Sequence, residues 1–190
     1  MVEKMPEAAK LYFDNWDVLD TARTELFSVF SDFWPSTWPI IQELSEAEGL
    51  VTPIVREILA PPGRWKLNGR GKAKKGQGKT PDRSMFKFTG VISVCIDDPR
   101  RSKNINVYSV SLRCSGANLK RLENEQPGAS DKIDALSKEH SLDLDWEDSW
   151  QLCKRDIAVD PEDLTATWRK VAETAVELLS FVKEAEATVA

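Results

Sequence analysis

The stretch MFKFTGVISVCIDDPRRSKNINVYSVSLRC, residues 85–114, decides the fold. Apolar and polar residues alternate along two segments, 85–97 and 105–114, and turn-forming residues cluster between them at 98–104. Alternation with a period of two is typical of a strand that buries one face. The stretch therefore predicts an antiparallel hairpin.

A register for this hairpin follows from placing Asp97 opposite Ile105. That pairing collects the apolar residues of both strands on one face, because side chains alternate between the faces of a sheet. The resulting pairs are Phe88–Cys114, Ile92–Val110 and Val94–Tyr108 on the apolar face, and Thr89–Arg113 and Ser93–Ser109 on the polar face.

Helical patterns precede the hairpin. Residues 7–33 place apolar side chains near helical spacing and predict a long amphipathic helix, which Pro35 is expected to end. Thr37 and Thr52 then resemble the N-caps of two shorter helices, because a proline follows each of them within two residues.

The region after the hairpin predicts one helix, one strand and a final helix. Ser130 resembles a helix cap, and residues 150–157 favour a strand. Asp160 followed by Pro161 predicts a C-terminal helix over 161–187. The apolar stripe of that helix consists of Leu164, Trp168, Val171, Ala175, Leu178 and Val182.

These elements predict a single α+β domain over residues 1–190. It has N-terminal helices, a small antiparallel sheet built around the long hairpin, and a long C-terminal helix packed on the sheet. A chain of 190 residues can bury a sizeable core without a disulfide or a metal. The expected regions are helical at 1–60, a basic Gly-rich loop at 61–84, a sheet region with one helix at 85–159, and the C-terminal helix at 160–190.

The cysteines and the N-terminal residues bear on the compartment. Cys95, Cys114 and Cys153 have no CxxC spacing and cannot all pair, which favours a reducing compartment. The first residues lack the apolar segment of a signal peptide, and no run approaches the roughly 18 apolar residues that a membrane span requires. We expect a cytoplasmic protein without a membrane partner.

Positive charge is concentrated in the middle of this acidic chain, whose net charge is −5. Residues 1–60 contain 4 Lys/Arg against 11 Asp/Glu, residues 61–120 contain 14 against 3, and residues 121–190 contain 8 against 17. The densest stretch, residues 63–83, holds eight basic residues and five glycines, with Asp82 as its only acid. Such segregation predicts a localised anion-binding surface.

Nucleic acid or another polyanion is the predicted partner of this surface. Each Lys or Arg that displaces a counterion adds salt-sensitive affinity, and glycine lets the backbone approach closely. Trp65 would either stack on an unpaired base or anchor the loop in the core. The predicted nucleic-acid-binding residues are Arg64, Trp65, Lys66, Arg70, Lys72, Lys74, Lys75, Lys79, Arg83, Lys87 and Arg113.

Motifs for catalysis are incomplete. Residues 73–80 satisfy a relaxed phosphate-loop pattern, but that chemistry needs a helix after the loop, whereas Pro81 and Asp82 lead into a strand. The acidic run 143–148 lacks the glycine turn and terminal Glu of a calcium loop, and His140 has no catalytic constellation in the sequence. We predict no catalytic residue, no metal and no cofactor, with a metal-dependent enzyme as a third reading.

The second half resembles an uncharacterised domain that often follows nuclease domains in bacterial restriction-type proteins. The resemblance implies a defence-linked, nucleic-acid-associated module and supplies no site. The segments that carry it are residues 105–114, Leu119-Lys120-Arg121-Leu122, Asp131-Lys132-Ile133-Asp134, Leu142-Asp143-Leu144-Asp145-Trp146 and residues 153–181, together with Tyr12-Phe13-Asp14-Asn15-Trp16 near the N-terminus.

Two functions remain open from the sequence. The first is a non-catalytic protein that binds nucleic acid or another polyanion through residues 63–83. The alternative is an inhibitor or regulator of the immunity or anti-defence type, which uses its acids to bind a basic protein. The acids concerned are Asp143, Asp145, Glu147 and Asp148.

Overall fold

The computed structural model of the protein describes residues 7–50, 83–87, 92–97, 99, 106–146 and 151–189. Helices flank and follow a four-stranded antiparallel sheet in the order β1-β2-β3-β4, which confirms the predicted α+β class. In chain order the elements are α1 (Glu7–Asp14), α2 (Trp16–Ala47), β1 (Arg83–Lys87), β2 (Ile92–Asp97), β3 (Val107–Cys114), α3 (Gly116–Glu125), α4 (Ala129–Glu139), β4 (Gln151–Ala158) and α5 (Leu164–Thr188).

The first predicted strand, 85–97, is two strands in the structure. β1 and β2 pair with each other, and Lys87 lies opposite Ser93. The predicted register between the next two strands is also wrong, because Asp97 lies opposite Ser109 rather than Ile105. The shift is four residues, an even number, so each side chain keeps its predicted face. The sequence prediction placed the ends of the two segments, 97 and 105, opposite each other, whereas β3 begins at Val107 and pairs with β2 farther along the chain.

The apolar face of the sheet packs against α2 and α5. Tyr108 of β3 is fully buried, and its ring stacks on Phe33 of α2 with centroids 4.5 Å apart. Trp168 of α5 contacts Phe33 edge-on, and its Nε1 donates a hydrogen bond to the hydroxyl of Tyr108 at 3.1 Å. These three rings join both helices to the sheet at the centre of the core.

The C-terminal helix has the predicted stripe and a later start. Val171, Ala175 and Leu178 are fully buried, as the spacing predicts. The cap is Asp163, whose carboxylate accepts a hydrogen bond from the backbone N–H of Ala166 at 2.8 Å. The predicted cap, Asp160, instead accepts from the N–H two residues later, so it forms a turn before the helix.

α2 continues through both of its prolines, so the predicted helix end at Pro35 and the predicted cap at Thr37 are wrong. Phe33 and Ile41, on either side of the prolines along the helix, are fully buried in one cluster with the stripe of α5. The free energy of this packing outweighs the backbone hydrogen bonds that the prolines cannot donate. The other predicted cap, Thr52, lies outside the described residues.

Two helices, not one, connect β3 to β4. The hydroxyl of Ser115 caps α3 by accepting a hydrogen bond from the N–H of Asn118 at 3.1 Å. Ser130 does not cap α4, whose N-cap is Gly128 with a positive φ of 78°. The carboxylate of Glu123 accepts from the N–H groups of Gly128 and Ser130 at 3.0 and 2.7 Å, and from the Ser130 hydroxyl. A side chain from the preceding helix thus replaces the local cap.

Residues 142–146 follow α4, and β4 is the strand that was predicted at 150–157. Leu142 and Leu144 are buried, while Asp143 and Asp145 between and after them are exposed. The alternation of apolar and acidic residues at 142–145 therefore corresponds to side chains that are alternately buried in the core and exposed to solvent. Among the described helices, none combines the length and apolar character needed to cross a membrane.

Candidate nucleic-acid interface and the polar face of the sheet

β1 forms one edge of the sheet and carries two of the predicted binding residues. Arg83 lies opposite Asp97, and Lys87 lies opposite Ser93, whose partner on the other side is Arg113. Because positions two apart share a face, the positions 83, 87 and 113 belong to the same face of the sheet. The remaining predicted residues are outside the described part of the chain; they are Arg64, Trp65, Lys66, Arg70, Lys72, Lys74, Lys75 and Lys79.

The face opposite the helices is polar, as the hairpin predicts. We call it the polar sheet face. On this face, side chains of neighbouring strands lie opposite each other. A long side chain can also reach diagonally to a residue farther along the neighbouring strand. The residues are Ser93, Cys95 and Asp97 of β2, Ser109, Ser111 and Arg113 of β3, and Lys154 and Asp156 of β4.

Arg113 lies inside this face rather than on an exposed basic surface. Its Nη2 donates to Oδ2 of Asp97 at 2.7 Å, and its Nε donates to the hydroxyl of Ser111 at 3.0 Å. The Arg113 and Asp97 side chains are only 7% and 11% exposed. Since this guanidinium is committed to a buried ion pair, we leave Arg113 out of the proposed interface. The predicted register concealed the pair, because it placed Arg113 opposite Thr89.

A second carboxylate organises the β4 side of the same face. Asp156 accepts a hydrogen bond from the Ser109 hydroxyl at 2.6 Å and another from Nζ of Lys154 at 2.8 Å. Burial alone would raise the pKa of Asp156, but the hydrogen bonds from Lys154 and Ser109 and the Lys154 charge outweigh it and lower the pKa. A carboxylate with a lowered pKa is a weak base, so this pair favours a structural network over activation of Ser109.

The cysteines behave as core residues. Burial raises the pKa of the Cys114 thiol to about 11 and also raises that of Cys153, so neither is predominantly a thiolate at neutral pH. Cys95 is fully buried at the centre of the polar sheet face, and its Sγ lies 4.0 Å from Oδ1 of Asp97. High thiol pKa values and burial are typical of structural cysteines rather than nucleophiles.

His140 lies at the C-terminal end of α4. Its Nε2 is 2.9 Å from Oε2 of Glu184, and its ring packs edge-on against Phe181 of α5. These contacts join α4 to α5. Within the described ranges, no three His, Cys, Asp or Glu side chains are grouped closely enough to hold a metal ion.

A shallow groove of about 520 Å³ lies between β4 and α5. Arg155 and Glu177 form an ion pair across it at 2.6 Å, and Lys170 and Glu173 also line it. The groove is open and its charges are mixed, so it lacks the enclosed apolar walls that are typical of small-molecule sites.

Comparison with known proteins adds no relative: no protein family, curated protein or solved structure matches this chain. The relation to the domain that follows nuclease domains therefore stays a prediction from the order of its segments.

Proposed function

We propose that this protein binds nucleic acid or another polyanion through residues 63–83, which we call the basic segment, without catalysing a reaction. The observation that carries the proposal is the charge imbalance of this segment, in which eight basic residues accompany one acid. The segment ends at Arg83, the first residue of the edge strand β1. Cations in such excess attract phosphates, whose binding releases condensed counterions.

The cations of the described body are used differently, which supports the assignment to the basic segment. Several of them form ion pairs with carboxylates of the same or a neighbouring element. The pairs are Arg113–Asp97 at 2.7 Å, Lys138–Asp134 at 2.9 Å, Lys154–Asp156 at 2.8 Å, Arg155–Glu177 at 2.6 Å and Arg121–Glu125 at 3.9 Å. The basic segment has one acid within its own sequence, Asp82, so its neighbours along the chain cannot neutralise it.

The acidity of the rest of the chain sets a condition on this binding. The parts 1–60 and 121–190 carry net charges of −7 and −9. At physiological ionic strength the Debye length is about 8 Å, so acids farther than this from a bound phosphate repel it weakly. At very low salt the repulsion extends farther and offsets part of the attraction.

The test is a fluorescence-anisotropy titration with labelled single- and double-stranded DNA and RNA at several salt concentrations. In the test variant, Lys72, Lys74, Lys75 and Lys79 are replaced by Glu. We expect micromolar or tighter binding by the wild type that weakens steeply with salt. Loss of four phosphate contacts to a duplex should reduce the slope of log K against log salt by about 3.6.

A matched control separates local contacts from overall charge. The control replaces four exposed cations of the described body by Glu, so the net charge changes equally. We expect this variant to bind nearly as well as the wild type, because its cations are outside the basic segment. Equal loss in both variants, or no wild-type binding at low salt, would overturn the proposal. The four control positions are Lys120, Lys132, Arg169 and Lys170.

The exposed carboxylates of Asp143 and Asp145 favour one second candidate. They belong to the acidic run, which a basic protein partner would recognise by charge complementarity. This is the inhibitor or regulator function. The link of either function to bacterial or phage defence rests on the resemblance above. Changing Asp143, Asp145, Glu147 and Asp148 to Asn or Gln should abolish partner binding under this function and leave nucleic-acid binding intact.

A further inference from the structure

The first 22 described residues of the chain, 7–28, extend past the core as a helical arm. α2 and α5 run in the same direction, because Phe33 contacts Trp168 while Nζ of Lys183 donates to the carbonyl of Gly49 just after α2. α5 begins only four residues before Trp168, at Leu164. The part of α2 before Val29 therefore lies beyond the start of α5, and α1 precedes it along the chain. At 1.5 Å per residue, residues 16–28 of α2 are about 20 Å long.

The arm is exposed along its length. Between Lys10 and Ser28, every side chain that the structure describes is exposed except that of Asp20, which is partly buried. Leu11 is 67% exposed and Val18 is 69% exposed. An isolated helix of this length is marginally stable in water, so packing against another surface would stabilise it considerably.

The exposed apolar residues continue the stripe that α2 buries in the core. Leu19 and Leu26 fall on the same side of α2 as Phe30 and Phe33, which are buried, because 3.6-residue periodicity brings these positions together. Val18 and, before Asn15, Leu11 extend the stripe toward the start of α1. We call Leu11, Val18, Leu19 and Leu26 the seam.

We propose that the arm is a dimerisation element that pairs with the arm of a second copy in antiparallel orientation. The seam and the adjoining Trp16, which is 45% exposed, present roughly 500 Å² of apolar surface per arm. Complete burial of these side chains in both arms would remove about 1,000 Å² from solvent, which is the size at which specific interfaces begin.

Charge selects the antiparallel orientation. An overlap centred between Val18 and Leu19 brings Leu11 of one arm to the level of Leu26 of the other. The same overlap brings Asp14 to the level of Arg23 and Asp17 to the level of Asp20, each twice by symmetry, so attractive and repulsive pairs are equal in number. A parallel pair would instead place every charged residue of the arm beside its own copy, and like charges at matching levels are unfavourable. The antiparallel arrangement therefore aligns the apolar seam with fewer repulsive pairs than the parallel one.

The first measurement is the molar mass of the full chain by sedimentation velocity and light scattering over a concentration series. We expect a dimer that dissociates in the micromolar range. Leu19→Glu should make the protein monomeric, because it places a charge in the seam. Thr21→Glu, two residues farther along and on the opposite side of α2, is the matched control and should leave the dimer unchanged. A wild-type monomer at all concentrations would overturn the proposal, as would equal effects of both changes.

A charge exchange tests the orientation. Asp14→Arg and Arg23→Glu change the net charge in opposite directions, yet each replaces two attractive pairs with repulsive ones in the antiparallel dimer. Each single change should weaken dimerisation on the order of tenfold, and the double variant should restore it. Single changes without effect would exclude antiparallel pairing. At a protein concentration where the wild type is monomeric, thermal unfolding of all variants should match the wild type, because these positions lie outside the core.

Discussion

Removal of either member of the Arg113–Asp97 ion pair should strongly destabilise the protein. The two charged atoms are 2.7 Å apart and both side chains are nearly buried. Asp97→Ala leaves the guanidinium in the protein interior without its carboxylate partner, and Arg113→Met removes the guanidinium from the nearly buried carboxylate. Neither remaining charge can be solvated without opening this part of the sheet.

The magnitude follows from two opposing terms. For charge centres about 4 Å apart, an effective dielectric constant of about 20 gives an attraction of roughly 4 kcal/mol. Desolvation of both ions offsets much of this attraction in the intact pair, so the pair itself contributes little net stability. Truncation of one member removes the attraction and keeps the desolvation of the other, which costs about 3–5 kcal/mol.

Urea denaturation, followed by far-ultraviolet circular dichroism, provides the free energies of unfolding for a double-mutant cycle. We expect each single change to lower stability by about 3–5 kcal/mol, whereas the double variant Asp97→Ala with Arg113→Met should lose much less than the sum. The coupling energy between the two positions should therefore be about 3 kcal/mol.

Two results would refute this reasoning. Single changes that cost less than about 1 kcal/mol and add in the double variant would mean that the pair is solvated. A second check uses nucleic-acid binding, which the Arg113→Met protein should retain with an unchanged salt dependence under conditions where it is folded. A lower salt slope would show that the guanidinium contacts phosphate after all.

Three further predictions concern single side chains. Thr37→Val should raise the free energy of unfolding by about 1 kcal/mol in urea denaturation, because the buried Thr37 hydroxyl has no hydrogen-bond partner among the described residues. A decrease in the free energy of unfolding by more than about 1 kcal/mol would show that the hydroxyl has a partner. Hydrogen bonds from Ser130, then from the Gly128 N–H, lower the pKa of Glu123, so its stabilisation is complete above the pKa of the unfolded chain and is lost as pH falls through the lower folded value. The Glu123→Gln protein should accordingly show a flatter acid limb in melting temperature against pH, and a limb as steep as that of the wild type would contradict the assignment. With Ellman's reagent at pH 8, the thiols of Cys95, Cys114 and Cys153 should react slowly in the native protein and rapidly in denaturant. Burial raises the pKa of Cys114 and Cys153, and Cys95 is fully buried. A thiol that reacts rapidly in the native protein would show that one of the three is accessible.

The parts of the fold that were predictable from the sequence depend on local periodicity. The stripe of α5, including Val171 and Leu178, follows from helical spacing, and the two faces of β2 and β3 follow from alternation. Face assignment survives an even error in register, which is why the polar sheet face was predicted correctly although Asp97 was given the wrong partner.

The errors arise where a distant residue decides a local structure. Glu123 caps α4 from the preceding helix, so Ser130 carries no sequence signal that distinguishes it from a true cap. Pro35 normally ends a helix, but contacts between α2 and the rest of the core maintain it through that position. Sequence periodicity contains no information about such contacts, because Tyr108 and Trp168, which Phe33 contacts, lie 75 and 135 positions away.

The candidate site was predictable only as a concentration of charge. Lys87 lies in the edge strand, inside the predicted sheet region, whereas Arg83 was predicted in the basic loop at 61–84 and is the first residue of β1. Arg113 is also basic and lies on the predicted face of the sheet. Its side chain is nearly buried in an ion pair with Asp97, so it is not part of an exposed basic surface. Charge composition identifies where cations are abundant along a chain, and only the register shows which of them a carboxylate has already neutralised.

The packing of α2 against α5 also determines when the protein can fold during synthesis. Phe33 and Trp168 are in contact although 135 positions separate them in the sequence. A nascent chain that extends only through the sheet exposes Phe33, Tyr108 and their neighbours until α5 emerges from the ribosome. Contacts of such long range also form slowly. Nascent chains stalled before Leu164 should therefore bind chaperones or aggregate, which makes the last helix the step that completes folding.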